Sequence, residues 1–215
     1  QQHYEVPTEF YQRCLGPRLK YSSAYFTSNT STLADAEIDM LNLYVDRAGI
    51  ADGQSILELG CGGGINMEFY EPARVTSFTG LDPSPELLAM SRAAAAARGM
   101  RADIQGGIGE AMPFESGRFD TVVTTFTLCS VRDPAAVLHE IRRILRPDGV
   151  ALFLEHGAAP DADVRKWQGR IEPLWKHMAG NCHLTRPIGA AYQSAGFQTE
   201  IMGNRYTPKK IGRAS

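Results

Sequence analysis

No two cysteines in this sequence stand at C-x-x-C spacing, and the four that occur, Cys14, Cys61, Cys129 and Cys182, are widely scattered. That speaks against a disulfide scaffold or a zinc ribbon and fits reduced thiols in a cytosolic protein. The five histidines show no ligand spacing either, so no metal site is expected. No apolar run approaches the roughly 18 residues that a membrane-crossing helix needs. No signal-peptide pattern opens the chain, which begins at Gln1 rather than Met and is read as trimmed from a natural start. Neither sign of charge dominates: 22 Lys and Arg against 24 Asp and Glu give a net charge of -2, too little to drive binding to nucleic acid or an anionic surface. Internal repeats and Pro/Gly/Ser linkers are also missing. What remains is a soluble chain of 215 residues, cytoplasmic, sized for one domain with an added segment, whose natural partner is a small molecule. Its oligomeric state has no signature.

From about Ser55 onward, short runs rich in Val, Ile, Leu and Phe alternate with segments of helical period, the pattern of βα units around a mostly parallel sheet. Strands are expected near Ser55 to Leu59, Ser77 to Leu81, Ala102 to Gln105, Thr121 to Phe126, Val150 to Leu154 and Gln198 to Met202. Ser84 followed by Pro85 starts a helix that runs through Ala93 to Ala97 and stops at Gly99. Asp133 and Pro134 start another, with Val137, Leu138, Ile141, Ile144 and Leu145 as its buried stripe and the turn Arg146-Pro147-Asp148-Gly149 as its end. Before Ser55, Thr32 and Asp35 form a capping box, and Leu33, Ala36, Met40, Leu43 and Tyr44 share one apolar face. An aromatic-rich stretch precedes that helix, carrying Phe10, Tyr11, Tyr21, Tyr25 and Phe26. It is either surface packing or a lid over a site at the sheet's edge. The division is therefore residues 1–50 as a helical lid segment and 51–215 as an α/β, Rossmann-like domain with helices on both faces of the sheet.

The first strand runs into Gly60-Cys61-Gly62-Gly63-Gly64, where backbone must approach a ligand closely and N–H groups are expected to open toward it at a helix start. A phosphate-binding P-loop would need Gly-Lys followed by Ser or Thr, and none is present. The dinucleotide fingerprint G-x-G-x-x-G, counted from Gly60, meets Ile65 where its third glycine should stand. What is left is acidic-x-Gly-x-Gly-x-Gly, Glu58 through Gly64. Asp82 closes the second strand 22 positions after Gly60, where a carboxylate can accept both hydroxyls of a ribose; its alternative is a simple turn residue before a helix.

These residues, with Gly109 to Phe114 and the turn at 145–149, resemble the class I S-adenosylmethionine-dependent methyltransferases. The resemblance implies S-adenosylmethionine as cofactor. It assigns cofactor contact to Glu58, Gly60, Cys61, Gly62 and Gly64, to Asp82 and Pro83, to Gly109, Glu110 and Ala111, and to Thr127 at the end of the fourth strand. Many members carry Asp where Ile108 stands, so the adenine contact passes here to backbone or to Glu110. Two finer resemblances divide the chain. Residues 1–60, with His3-Tyr4-Glu5-Val6-Pro7, Leu15-Gly16-Pro17 and Leu19 through Phe26, are similar to coclaurine N-methyltransferases and cyclopropane-fatty-acid synthases, which gives Tyr21 and Ser22 a cofactor contact from the N-terminal side. Residues 65–203 are similar to the small thiol S-methyltransferases of the animal methyltransferase-like group through Leu128-Cys129-Ser130-Val131, Phe153-Leu154-Glu155-His156, Trp167-Gln168, Pro173-Leu174-Trp175 and Cys182-His183-Leu184-Thr185-Arg186. A chain with both halves reads as a natural recombinant, a reconstructed ancestor or an engineered chimera joined near Ser55 to Gly64.

Methyl transfer from a sulfonium is an in-line displacement whose catalysis is mainly alignment, and it requires no metal. A thiol or ammonium acceptor must first lose a proton. Glu155, His156 and His183 are the candidate bases, and each is equally a residue that only braces the site. Cys129 and Cys182 read as small buried hydrophobes rather than nucleophiles. Trp167 and Trp175 either wall an acceptor pocket or belong to the core. The expected activity is methylation of a small nucleophile, a lipophilic thiol first. The alternatives are an amine N-methyltransferase, a catalytically silent S-adenosylmethionine-binding protein, and a nicotinamide oxidoreductase, which Ile65 opposes.

Overall fold

In the computed structural model, residues 25–48, 53–70, 72 and 75–200 are described. Five parallel strands form one sheet: β1 (Gln54–Leu59), β2 (Val75–Asp82), β3 (Ala102–Gly106), β4 (Phe119–Thr125) and β5 (Leu145–Leu154). Their order is β3-β2-β1-β4-β5. The chain builds outward from β1 to one edge and then returns to build the other side from β4. The crossover leaves a crevice beyond the C-terminal ends of β1 and β4, the switch point at which open parallel sheets take their ligands.

Alternation along each strand sends neighbouring side chains to opposite faces, which explains why both faces are covered. Leu57, Leu59, Leu81 and Val122 pack with Val137, Leu138, Ile141 and Ile144 of α3 (Pro134–Ile144) and with Ile188 and Tyr192 of α5 (Ile188–Ser194). Ile56, Phe78, Ile104 and Val123 face the other way, onto Leu88 and Ala95 of α2 (Pro85–Ala97) and onto Met67 and Tyr70 at the short 3₁₀ helix Ile65–Phe69. Both expected helix starts form. The hydroxyl of Ser84 accepts the N–H of Leu87, and Oδ1 of Asp133 accepts those of Ala135 and Ala136, with proline next in each case. Gly99 follows α2 at a φ of 64°, a left-handed stop open to glycine.

The capping box at α1 (Leu33–Ala48) also forms: Thr32 N–H donates to Asp35 and Asp35 N–H to Thr32. Leu33, expected on the apolar face, is 42% exposed, because it precedes the first full turn, while Ala36 and Met40 are buried. Leu43 and Tyr44 have side chains outside the described residues, as do Tyr21 and Ser22.

Three expectations need correction. The Arg146 to Gly149 turn does not separate α3 from the next strand. β5 begins at Leu145, paired with Phe119, and pairing resumes at Val150 opposite Thr121, so residues 146–149 bulge out opposite the single residue Asp120. Arg146 ties that bulge to Asp120 by a salt bridge. Residues 198–200 of the expected sixth strand carry no strand structure, and Ile201 and Met202 lie outside the described residues. Trp167 and Trp175 are not core. They lie on α4 (Ala162–Met178), which buries none of its residues and shows Val164, Trp167, Ile171, Leu174, Trp175 and Met178 to solvent.

Loss of the Asp133 cap gives a direct check on this reading of α3. Asp133→Ala should lower the unfolding free energy by about 1 kcal/mol, measured by urea denaturation, and Asp133→Asn should retain most of it because the amide oxygen still accepts. An unchanged midpoint for the alanine variant would remove the cap from the account.

Candidate functional site at the carboxyl ends of β1, β4 and β5

The glycine loop leaves β1 in left-handed backbone, with φ of 71° at Gly60, 51° at Gly62 and 80° at Gly64. A β-carbon at Gly60 would lie 2.2 Å from Oγ1 of Thr127, so the close approach of the two loops, as well as the dihedral, demands glycine there. A β-carbon at Gly62 would meet nothing within 4 Å, so the loop is open to solvent at that point. The expected array of outward N–H groups is not met at four of the five positions. Gly60 and Cys61 donate to the carbonyl of Leu81, Gly64 donates to Cys61, and Gly62 donates to Asp82 at 3.0 Å. Three of these bonds run to the end of β2 and one stays within the loop, so the protein itself satisfies most of the loop's amides. A dinucleotide's diphosphate would need those amides, so the nicotinamide alternative loses its binding element.

Asp82 is 4% exposed, and its two oxygens accept N–H groups from Gly62 and Ser84. Burial pushes its pKa upward, opposed by those two amides. A nearly buried carboxylate beside an open loop, with an additional lone pair on each oxygen, has the chemistry to take a pair of ribose hydroxyls. Pro83, next to it, is exposed.

Glu58 sits beneath the loop. Its Oε1 accepts the amide of Asn66 at 2.5 Å, and Asn66 reaches 3.1 Å to the hydroxyl of Thr125, so one asparagine joins the ends of β1 and β4. No sequence signal had marked Asn66, because nothing but the fold brings it to those strands. Burial pushes the Glu58 carboxyl up to about 8, against hydrogen bonds from Asn66 and Tyr70. Cys61 is likewise a buried core thiol, packed at Ser91, with its pKa pushed up to about 12 by burial. Beyond β3, Gly109 is wedged against Val137 and Leu59, Ala111 is exposed, and Glu110 accepts the N–H groups of Arg132 and Asp133, which commits that carboxylate to holding the start of α3.

Past β4 the chain passes through Phe126 at a φ of 54° and makes a single helical turn, in which Ser130 and Val131 donate to the carbonyl of Thr127. The amides at the start of such a turn have no partner within it. Glu155, just past β5, supplies one: Oε1 accepts Thr127 and Leu128, each at 3.0 Å, and Oε2 accepts Cys129 at 3.2 Å. Burial pushes this carboxyl up to about 7 while those three amides pull it down. Arg186 completes the clamp by donating to the carbonyls of Leu128 and Val131. Held this way, Thr127 donates its hydroxyl to the carbonyl of Leu59, fastening the turn to the end of β1.

The same clamp collects the other candidates. His156 Nδ1 lies 3.5 Å from the sulfur of Cys182, and its ring packs 4.5 Å from that of Phe126. The Cys182 thiol is pulled down by a hydrogen bond from Cys129 and by His156, while Cys129 is pushed up. His183 donates its backbone N–H to the carbonyl of Cys129, and its ring is held at 3.3 Å by Glu172, which also accepts from Thr185. Glu155, His156 and His183 therefore meet at one turn, and Glu58, Asp82, Thr127 and the loop meet beside it.

A doubly wound parallel sheet with a buried acidic strand end beside a glycine loop whose amides are mostly taken fits the class of enzymes that bind a nucleoside cofactor without gripping a diphosphate. The family model described as "Methyltransferase domain" matches residues 57–153. The chain is 40% identical to the human thiol S-methyltransferase TMT1B over 165 residues, 74% of this chain and 66% of the relative. It is 34% identical to the human thiol S-methyltransferase TMT1A over 170 residues, 77% of this chain and 68% of the relative. Among solved structures, the cyclopropane synthase MmaA2 of Mycobacterium tuberculosis shares the fold with a TM-score of 0.75 at 21% identity, over 92% of this chain and 73% of that one. The chain belongs to the class I S-adenosylmethionine-dependent methyltransferases.

The Glu58 carboxyl makes a pH prediction with a definite sign. Folded, it keeps its proton at pH values where the unfolded chain has released it, so stability falls as pH rises from the ordinary 4.5 toward about 8. In Glu58→Gln the Tm of the ligand-free protein should decline less steeply over that window. Parallel slopes for the two proteins would mean that Glu58 is ionised in the fold.

Proposed function

We propose that this chain methylates small lipophilic thiols, with S-adenosylmethionine as the donor. The observation that carries the reading is its identity, above one third over some three quarters of the chain, to two proteins named as thiol S-methyltransferases. The chain spans 66% and 68% of their lengths. S-adenosylmethionine, when bound, supplies an activated methyl group on a sulfonium sulfur.

The residues divide by what they hold. Asp82 binds the ribose, Pro83 and the Gly109 to Ala111 segment border the adenine, and Gly60, Cys61, Gly62 and Gly64 give the backbone surface. Glu58 stiffens that surface through Asn66. Thr127 borders the methionine end, and Tyr21 and Ser22, outside the described residues, keep the cofactor contact that their resemblance implies. Glu155 is a positioning residue: three amides occupy its carboxylate, and through them it fixes Thr127 and Cys129. The His183 ring is held by Glu172, whereas the His156 ring faces Cys182 and Phe126 beside the turn, where a thiol acceptor must lose its proton. The partner is a small molecule. No described helix is long and apolar enough to cross a membrane, and the cytoplasm is the compartment we assign.

A methyl-transfer screen over small thiols, amines and phenols tests the acceptor class. Turnover is expected with lipophilic thiols above all others, and turnover with amines but with no thiol would overturn the assignment. For the cofactor, calorimetry on Asp82→Ala should show S-adenosylmethionine affinity reduced by about 1–3 kcal/mol, the worth of hydrogen bonds to a charged acceptor. Full affinity in that variant would remove Asp82 from the ribose.

A further inference from the structure

Cys129, His156 and Cys182 come from three separate loops, after β4, after β5 and after α4, yet their ligand atoms all lie within 4.8 Å of one another. Both thiols are free and buried. Around them stand Ala179, Phe126 and Leu184, an apolar wall. If the two cysteines were only space-filling hydrophobes, nothing would require an imidazole nitrogen to face one of their sulfurs. The spacing has another explanation. With zinc–sulfur bonds of about 2.3 Å, zinc–nitrogen bonds of about 2.0–2.1 Å and tetrahedral angles, sulfur and nitrogen stand about 3.5 Å apart. The Cys182 sulfur and His156 Nδ1 are 3.5 Å apart.

We infer that Cys129, Cys182 and His156 form a binding site for one thiophilic divalent cation of the zinc type, with a fourth position open to an exogenous thiol. Two thiolates neutralise the charge of the ion, so the site can be buried at no net charge. Thiolate and imidazole are the donors that favour zinc over harder cations. Cys129 itself makes only weak sulfur contacts, to the carbonyl of Phe126 at 3.4 Å, to the hydroxyl of Ser130 at 3.5 Å and to the thiol of Cys182. Three protein ligands are the pattern of sites that keep a position for a reacting group, whereas structural sites close with four. Among the described residues no further cysteine, histidine or carboxylate joins the cluster. A thiol entering the fourth position gives its sulfur lone pair to the metal; its S–H bond breaks and the proton leaves to water, so the acceptor is held as a thiolate. The three protein ligands stand independently of the proposed function. Only the identity of the fourth ligand rests on it.

Cobalt(II) titration of the reduced, chelator-treated full chain tests the site. One equivalent is expected to give thiolate-to-cobalt charge transfer and intense tetrahedral bands, which zinc removes. Cys129→Ser, Cys182→Ser and His156→Ala should each weaken cobalt binding by at least the roughly 10–100-fold that losing even an outer-shell partner of a metal ligand costs. Because a buried variant can fail to fold, the parent chain carries a second readout: one equivalent of zinc should slow alkylation of Cys129 and Cys182 while leaving that of Cys61 unchanged. Adding a small thiol should shift the cobalt bands. The inference is overturned by absence of tetrahedral bands, by binding that survives in all three variants, or by a Cys129–Cys182 disulfide forming in a chain that takes up no metal when reduced. Cobalt bands indifferent to thiol would overturn the open thiol position. Metal-free protein that methylates thiols at the full rate would overturn the metal's part and uphold the proposed acceptor class, and a loaded site with no thiol turnover would do the reverse.

Discussion

One carboxylate and one guanidinium hold the turn after β4 from opposite sides. Glu155 takes the amides of Thr127, Leu128 and Cys129, and Arg186 donates to the carbonyls of Leu128 and Val131. A single helical turn cannot persist on its own, since its nucleation cost is met by almost no internal bonds. Here the ends of the turn are satisfied by charged groups from two other loops. The rest of the site follows from that arrangement: Thr127 is pressed to the end of β1, Cys129 is brought to His156 and Cys182, and the backbone of His183 is tied to Cys129. Leaving three amides buried without acceptors is the penalty that keeps Glu155 in place.

The glycine loop shows the same economy on the cofactor side. Because Leu81, Cys61 and Asp82 satisfy most of its amides, the loop presents shape rather than a set of donors. On the proposed reading recognition concentrates in Asp82, whose oxygens are already oriented by Gly62 and Ser84. Orienting a carboxylate in advance lowers the ordering cost of binding, and its burial strengthens each hydrogen bond it accepts.

Much of the fold was legible because local chemistry and global architecture agree. Ser84-Pro85 and Asp133-Pro134 signalled helix starts that the sheet also requires, and the alternation of Ile56 with Leu57 and of Val122 with Val123 implied two covered faces. The turn at Arg146 to Gly149 misled, since Pro-Asp-Gly favours a turn in isolation, whereas here Leu145 already pairs with Phe119 and the extra residues bulge from the strand. Glu155 was visible as a polar residue past a strand, but its three amide partners lie 26 to 28 positions earlier and have no pattern in the sequence. The cluster of Cys129, His156 and Cys182 was hidden for the same reason. Its members are 27 and 26 positions apart, and short-range ligand spacing is informative only where one hairpin or helix holds the ligands.

The contact between Gly60 and Thr127 bears on how such a protein can change over generations. Any side chain at position 60 would collide with the hydroxyl of Thr127, and the backbone there is left-handed as well. Shortening residue 127 would relieve the collision but free the carbonyl of Leu59 and unfasten the turn from β1. The two positions, 67 apart in the chain, therefore cannot drift singly: a lineage that alters one must already have paid for the other. Variation is expected instead to collect where the backbone meets open space, as at Gly62 and along the exposed face of α4, so descendants could diverge in what they accept while inheriting the same junction of the two loops.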